Sequence, residues 1–251
     1  MGEIETIRHD GVDIAFERQV GATPTFVWLS GFKSDMAGTK AQRLAEWAEA
    51  RGQAFVRLDY SGHGKSGGVF EDGTISRWLS DALAVIDAKT WGPLVLVGSS
   101  MGGWIALLAA RARPERVKGL LLIAPAADFT EKLMRPNLTE EALEAIESEG
   151  QWSMPSAYSD DPTIITDAML EDGRNHLLMD EPYPFAGPIR ILQGEEDPDV
   201  PASHALALAN ILRTDDLVID MVRDGDHRLS RPEDLDRLVQ TADRLAEQLA
   251  H

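Results

Sequence analysis

Apolar and polar residues alternate through residues 4–18 around Asp10-Gly11. A period of two marks strands with one buried face, and Asp-Gly between them marks a tight turn, so a β-hairpin is predicted here. The pattern then changes. Phe26-Val27-Trp28-Leu29, Ala54-Phe55-Val56, Leu94-Val95-Leu96-Val97, Leu120-Leu121-Leu122-Ile123 and Ile189-Arg190-Ile191-Leu192 are short runs apolar almost throughout. Strands that are apolar on both faces belong to a parallel sheet covered by helices. Helical periodicity occupies residues 41–51, 75–88, 101–112 and 201–212, each after a strand, and residues 231–249 close the chain. Strand alternating with helix predicts a single α/β domain over 1–251, with a mostly parallel, doubly wound sheet and an N-terminal antiparallel hairpin.

One segment breaks the alternation. Residues 126–186 show helical stretches and no strand, one opening at Thr139 as N-cap and another over 164–179. An insertion at the C-terminal edge of such a sheet can cover a ligand crevice, so 126–186 is expected to be a helical cap.

The chemistry-bearing motif is Gly98-Ser99-Ser100-Met101-Gly102, directly after the strand at 94–97 and directly before the helix at 101–112. Strand, sharp turn, helix is the order a nucleophile elbow requires, with the serine exposed at the turn. Glycines two residues to either side let strand and helix approach. A frame centred on Ser99 would put Val97 and Met101 where glycines are needed, so Ser100 is the candidate nucleophile. In folds built on this elbow the acid and then the histidine follow the serine along the chain. Of the six histidines, His227 lies after the last strand, 217–222, and before the last helix. His63 is its rival but precedes the serine. The loop after the strand at 189–192 offers Glu195, Glu196, Asp197 and Asp199 as acids. Serine needs a base to take its proton, and the base needs a carboxylate to hold its tautomer. Two backbone N–H groups must face the developing oxyanion; Met101 supplies one, and Phe32, in the loop Ser30-Gly31-Phe32 after the strand at 26–29, is the candidate for the other.

Gly62-His63-Gly64-Lys65-Ser66-Gly67 matches a dinucleotide fingerprint, but no helix pattern begins there, and Asp59 stands where a phosphate loop needs its first glycine. Nucleotide binding is therefore not expected. A metal at the acid loop is not expected either, because the loop contains no histidine.

Charge and composition narrow the picture further. The chain of 251 residues carries a formal charge of −18, a field that repels nucleic-acid backbones and anionic membranes. There is no cysteine, which excludes disulfides and thiolate chemistry. The start, Met1-Gly2-Glu3-Ile4-Glu5-Thr6, is no signal peptide; it fits a loose myristoylation pattern but reads better as an edge strand.

These motifs resemble the α/β-hydrolase superfamily. Gly38-Thr39-Lys40-Ala41, Asp59-Tyr60-Ser61-Gly62, the run from Val97 to Trp104, Trp152-Ser153-Met154-Pro155-Ser156 and Asp226-His227-Arg228 resemble, more narrowly, the mitochondrial acyl-glucuronide esterases also described as palmitoyl-protein thioesterases. The resemblance implies hydrolysis of a small acyl ester or thioester, through an acyl-enzyme and with no cofactor. It selects Asp197 as the acid, since Gly-x-x-Asp before Val200-Pro201 resembles the family's acid loop. The Gly62–Gly67 stretch resembles the family's Asp-x-x-Gly-x-Gly-x-Ser loop on the pocket wall. The family often has His-Gly where this chain has Ser30-Gly31. The resemblance also suggests that Trp152, Met154, Tyr158, Leu177 and Leu178 line an acyl pocket over Ser100. A carboxylate nucleophile, as in haloalkane dehalogenases, is excluded by the serine. A receptor-like hydrolase fold with little turnover is the alternative. Without a recognisable transit peptide the chain is expected in the cytoplasm, as a monomer or homodimer.

Overall fold

The computed structural model describes residues 2–154 and 162–250. The strands are β1 (Glu5–His9), β2 (Val12–Gln19), β3 (Ala22–Leu29), β4 (Gln53–Leu58), β5 (Leu94–Ser99), β6 (Val117–Ile123), β7 (Gln151–Met154), β8 (Thr163–Thr166), β9 (Tyr183–Pro184), β10 (Ile189–Gly194), β11 (Leu212–Arg213) and β12 (Leu217–Val222). The helices are α1 (Thr39–Arg51), α2 (Ile75–Lys89), α3 (Met101–Ala112), α4 (Glu140–Glu149), α5 (Asp167–Gly173), α6 (Ala202–Ile211) and α7 (Pro232–Leu249).

β1 and β2 form the predicted hairpin. His9 pairs with Val12, which leaves Asp10-Gly11 as a two-residue turn at φ 44° and 79°. Both values are left-handed, as the turn type matching the strand twist demands. β2 then pairs antiparallel with β4, and the remaining strands run parallel in the order β1-β2-β4-β3-β5-β6-β10-β12.

Alternation along each strand splits the core in two. Phe26, Trp28, Val95 and Leu121 point to the face covered by α1 and α7, where they meet Leu44, Trp47, Leu238 and Leu245. Val27, Leu29, Leu96 and Leu122 point to the other face, against Trp78 of α2, Trp104 of α3 and Leu208 of α6. Both faces of β3, β5 and β6 are therefore apolar, which is the reason their sequences show no alternation.

The strand order reverses direction at β3: the chain leaves it for β4 on one side and returns to β5 on the other. Loops diverge at such a point and leave a crevice at the carboxyl ends of the strands. Leu29 pairs with Gly98 at the last register position of β3 and β5, so Ser30-Gly31 and Ser99-Ser100 open into that crevice side by side.

The chain between β6 and β10 departs from the all-helical expectation. Thr139 is the N-cap of α4, its hydroxyl accepting the Ala142 N–H at 3.2 Å. The helix is followed by an antiparallel hairpin in which Gln151, Trp152, Ser153 and Met154 face Thr166, Ile165, Ile164 and Thr163. No helix spans 164–179; α5 starts only at Asp167, capped by the Thr166 hydroxyl. Thr163-Ile164-Ile165-Thr166 is β-branched throughout, which disfavours a helix and suits a pleated pair.

Leu122 is fully buried at the centre of the sheet. Leu122→Ala is expected to lower unfolding stability by about 3 kcal/mol in urea titrations, with the urea dependence of stability unchanged.

Candidate active site

The turn after β5 is built by close approach. A Cβ on Gly98 would lie 2.2 Å from the Gly102 carbonyl oxygen, and one on Gly102 would lie 2.1 Å from the Leu29 carbonyl oxygen. Real side chains never come so near, so only glycine lets α3 start this close to β3 and β5. Ser100 joins them at φ 55°, ψ −121°, a strained backbone for a residue with a side chain. Its N–H donates to the Ile123 carbonyl at 2.9 Å, and its own carbonyl accepts from Gly103 at 2.9 Å and Ala126 at 3.1 Å. The strain is held by β6 and by the first turn of α3.

Three of the singled-out residues meet here. His227 Nε2 lies 3.2 Å from Ser100 Oγ, and His227 Nδ1 lies 2.8 Å from Asp197 Oδ2. A carboxylate can only accept, so Nδ1 carries the proton in neutral imidazole and leaves Nε2 bare towards the serine hydroxyl. The Asp197 side chain is fully buried. Its Oδ1 accepts the N–H groups of Asp199 at 2.9 Å and Val200 at 2.8 Å. Gln193, buried at the end of β10, donates from Nε2 to the carbonyls of Gly194 at 3.0 Å and Val200 at 2.9 Å, and it reaches Asp197 Oδ2 at 3.4 Å. Gln193 carries only a faint sequence signal, an amide directly before the glycine that ends β10.

One oxygen each of Asp197 and Asp199 and one nitrogen of His227 lie within 4.8 Å of one another, a spacing a metal ion could bridge. The histidine that the acid loop lacks comes from the loop after β12, and both Asp197 oxygens accept N–H groups here.

Phe32 and Met101 flank the serine. A Cβ on Gly31 would sit 3.3 Å from Ser100 Cβ and 3.9 Å from Ser100 Oγ, so the backbone before Phe32 lies directly against Ser100. Met101 is the first residue of α3, whose opening N–H groups have no partner within the helix. The Phe32 ring packs on Phe70, Trp78 and Phe129 at 5.1, 5.8 and 5.7 Å between centroids. In place of the family's histidine, the Ser30 hydroxyl accepts the Trp28 indole N–H at 3.0 Å.

Of the expected pocket residues, Leu178 is buried in the larger core cluster, Trp152 and Met154 pack half-buried against it, and Leu177 is half-buried. Met101 and Phe32 belong to or pack on that same cluster. Tyr158 lies outside the described residues. The chain around Leu178 is tied to the body: the Asp128 carboxylate accepts the Leu178 and Met179 N–H groups at 2.8 and 2.9 Å, and Trp104 donates to the His176 carbonyl at 3.1 Å.

The glycine-rich loop binds inward. Asp59 Oδ2 accepts the Lys65 N–H and Oδ1 the Met36 N–H, both at 2.7 Å, and a Cβ on Gly64 would strike the Asp59 carboxylate. Burial raises the Asp59 pKa, and these two N–H bonds pull it down. A loop closed on a carboxylate cannot cradle a phosphate.

A profile of the serine aminopeptidase S33 family of hydrolases matches residues 24–175, more than half of the chain. The chain belongs to this α/β-hydrolase family. It is 37% identical over 244 residues to the mitochondrial palmitoyl-protein thioesterase ABHD10 of Pongo abelii, covering 97% of this chain and 79% of that one. The human protein of the same name is 36% identical over the same span. Among solved structures, mouse α/β-hydrolase domain-containing protein 10 superposes with a TM-score of 0.90 at 34% identity, over 98% of this chain and 99% of that one. A protein from Agrobacterium vitis S4 superposes with 0.93 at 44% identity, over 98% of each. The chain is thus a serine-hydrolase-like α/β hydrolase. The cytoplasmic expectation does not stand, since the relatives that match nearly the whole chain are named mitochondrial. An acidic chain without cysteine fits a reducing and an oxidising compartment alike and carries no address. No helix among the described residues is long and apolar enough to cross a membrane.

Gly102→Ala is expected to cost about 2 kcal/mol or more, because the Leu29 carbonyl must move. Gly38→Ala, whose Cβ would meet only ordinary contacts from 3.4 Å outwards, is expected to change stability little. Thermal unfolding of the two variants checks the contrast.

Proposed function

We propose that this chain hydrolyses acyl esters or thioesters through a Ser100–His227–Asp197 triad. The observation that carries the reading is the unbroken hydrogen-bonded line from Asp197 through His227 to Ser100, at 2.8 and 3.2 Å. Ser100 Oγ attacks the acyl carbonyl carbon while its proton passes to His227 Nε2. The carbonyl oxygen becomes an oxyanion beside the N–H groups of Met101 and Phe32. The bond to the leaving alcohol or thiol then breaks, and that group takes the proton from His227. Water, deprotonated by the same nitrogen, attacks the acyl-serine in turn and releases the carboxylic acid and the free enzyme. Asp197 keeps the imidazole oriented and stabilises its charged form. The name of the relatives, palmitoyl-protein thioesterase, supports an acyl thioester among the substrates.

In this reading the inserted segment caps the crevice, and Trp152, Met154, Leu177 and Leu178 line an acyl pocket. The packing of Trp152, Met154 and Leu178 on the cluster that includes Met101 supports that role.

Ser100→Ala is expected to lower kcat about 10⁴-fold, and a fluorophosphonate probe should label wild type at Ser100 and not at Ser99. Asp197→Asn should slow turnover by a similar factor and Asp199→Asn far less; the reverse order would identify the wrong acid. Slow turnover in wild type, with tight ligand binding, would favour the receptor-like alternative.

Each buried CH₂ is worth about 0.8 kcal/mol, so kcat/KM on p-nitrophenyl esters should climb from acetyl to a medium chain. Trp152→Ala is expected to flatten that climb and spare the acetyl ester. Equal loss at every chain length would reject the pocket.

A further inference from the structure

We propose that Lys40 is a positioning residue: its ammonium, donating to the Arg228 carbonyl, holds the loop that carries His227 in line with Ser100. The proposal rests on the reading of His227 as the base.

The loop after β12 is pinned by its backbone on both sides of His227, whose imidazole bonds to Asp197. Before it, the Gly225 N–H donates to the Val222 carbonyl at 3.0 Å, and the Gly225 carbonyl accepts from Glu196 at 3.0 Å. After it, the Leu229 N–H donates to Asp226 Oδ1 at 2.9 Å, with Leu229 buried and left-handed at φ 43°. Arg231 then ties Asp224 to Asp234 on α7. The carbonyl of Arg228, the residue after His227, accepts the Ser230 hydroxyl at 2.9 Å from within the loop and, from outside it, Lys40 Nζ across 188 residues of sequence.

Lys40 stands where a lysine needs a reason. It is in the first turn of α1, which has no acidic residue, and the positive end of the helix dipole disfavours a cation there. Its chain lies in a narrow crevice with Leu192, Val222, Leu229 and Leu238. The charged groups facing the ammonium are Asp226 and Arg228 on the base loop, Asp234 and Arg237 on α7, and Asp197 on the acid loop. On its own helix, Arg43 is one turn on and paired with Asp236 at 3.2 Å. The three carboxylates attract the cation from a distance, and the Arg228 carbonyl receives its hydrogen bond.

Burial lowers the Lys40 pKa to about 8; Asp226 opposes that shift, Arg228 adds to it, and Asp234 and Asp197 oppose it. The ammonium is therefore present at pH 7 and is lost as pH rises through about 8. A neutral amine donates about half as strongly as an ammonium, so the hold on the loop weakens over that range.

The test is Lys40→Met, which keeps the length of the side chain and removes the donor. Activity is read on a p-nitrophenyl ester from pH 6 to 10, with Ser100→Ala as background. Wild type should lose kcat as pH passes about 8. Lys40→Met should lose about tenfold in kcat at pH 7, keep KM within about twofold, and show no such alkaline limb. Lys40→Arg, which stays charged, should carry the limb upward out of the range. If Lys40→Met does not fold, the limb of Lys40→Arg decides: displacement supports the proposal, an unchanged limb overturns it. Wild-type kcat and an unaltered profile in Lys40→Met would overturn this inference and leave the triad standing. Wild-type turnover that survives Ser100→Ala would overturn the triad reading, and this inference with it.

Discussion

The distance between the start of α3 and the ends of β3 and β5 decides everything at the carboxyl edge of the sheet. Gly98 faces the Gly102 carbonyl and Gly102 faces the Leu29 carbonyl, each with no room for a methyl group. That contact bends the chain so sharply that Ser100 adopts φ 55°. The same contact brings Gly31 against Ser100 and aims the helix N-terminus at the crevice. A larger residue at either glycine would move α3 outward, and the serine would leave both His227 and the Gly31–Phe32 backbone. The strain is local, and the hydrogen bonds from Ser100 to Ile123, Gly103 and Ala126 confine it.

Around this turn, carboxylates repeatedly serve as receptors for backbone N–H groups. Asp59 receives Met36 and Lys65, Asp128 receives Leu178 and Met179, and Asp197 receives Asp199 and Val200. Burial raises the pKa of Asp59 and of Asp128, and the N–H bonds oppose it in both. Each acid thereby fixes a loop that borders the crevice: the glycine-rich loop, the entry to the inserted segment, and the acid loop. A formal charge of −18 is thus not only a surface property, since part of it organises the loops. Lys40 is the cationic counterpart, a donor set among Asp226, Asp234 and Asp197.

Legibility in the sequence followed the range of the interactions. The elbow was legible because strand, turn and helix are contiguous and the steric demand falls on two glycines within five residues. The first hairpin was legible because a two-residue turn sets its register. The β7–β8 hairpin was not, because its strands are four residues each and resemble parts of a helical segment until they pair. The acid was narrowed to four neighbours by position alone. What singles out Asp197 physically is that its oxygens take two N–H groups of its own loop and the imidazole of another.

By itself, then, the sequence determined the layered α/β sheet and the glycine-flanked turn at Ser100, because periodicity and glycine sterics are properties of short segments. Only the tertiary structure decided which carboxylate meets His227, that the Gln193 amide bonds to the acid loop, and that Lys40 reaches the Arg228 carbonyl. Those contacts join residues from separate strand ends, and Ser100 and His227 are 127 positions apart. No pattern in the chain records a meeting that exists only once the sheet has brought its loops to one edge.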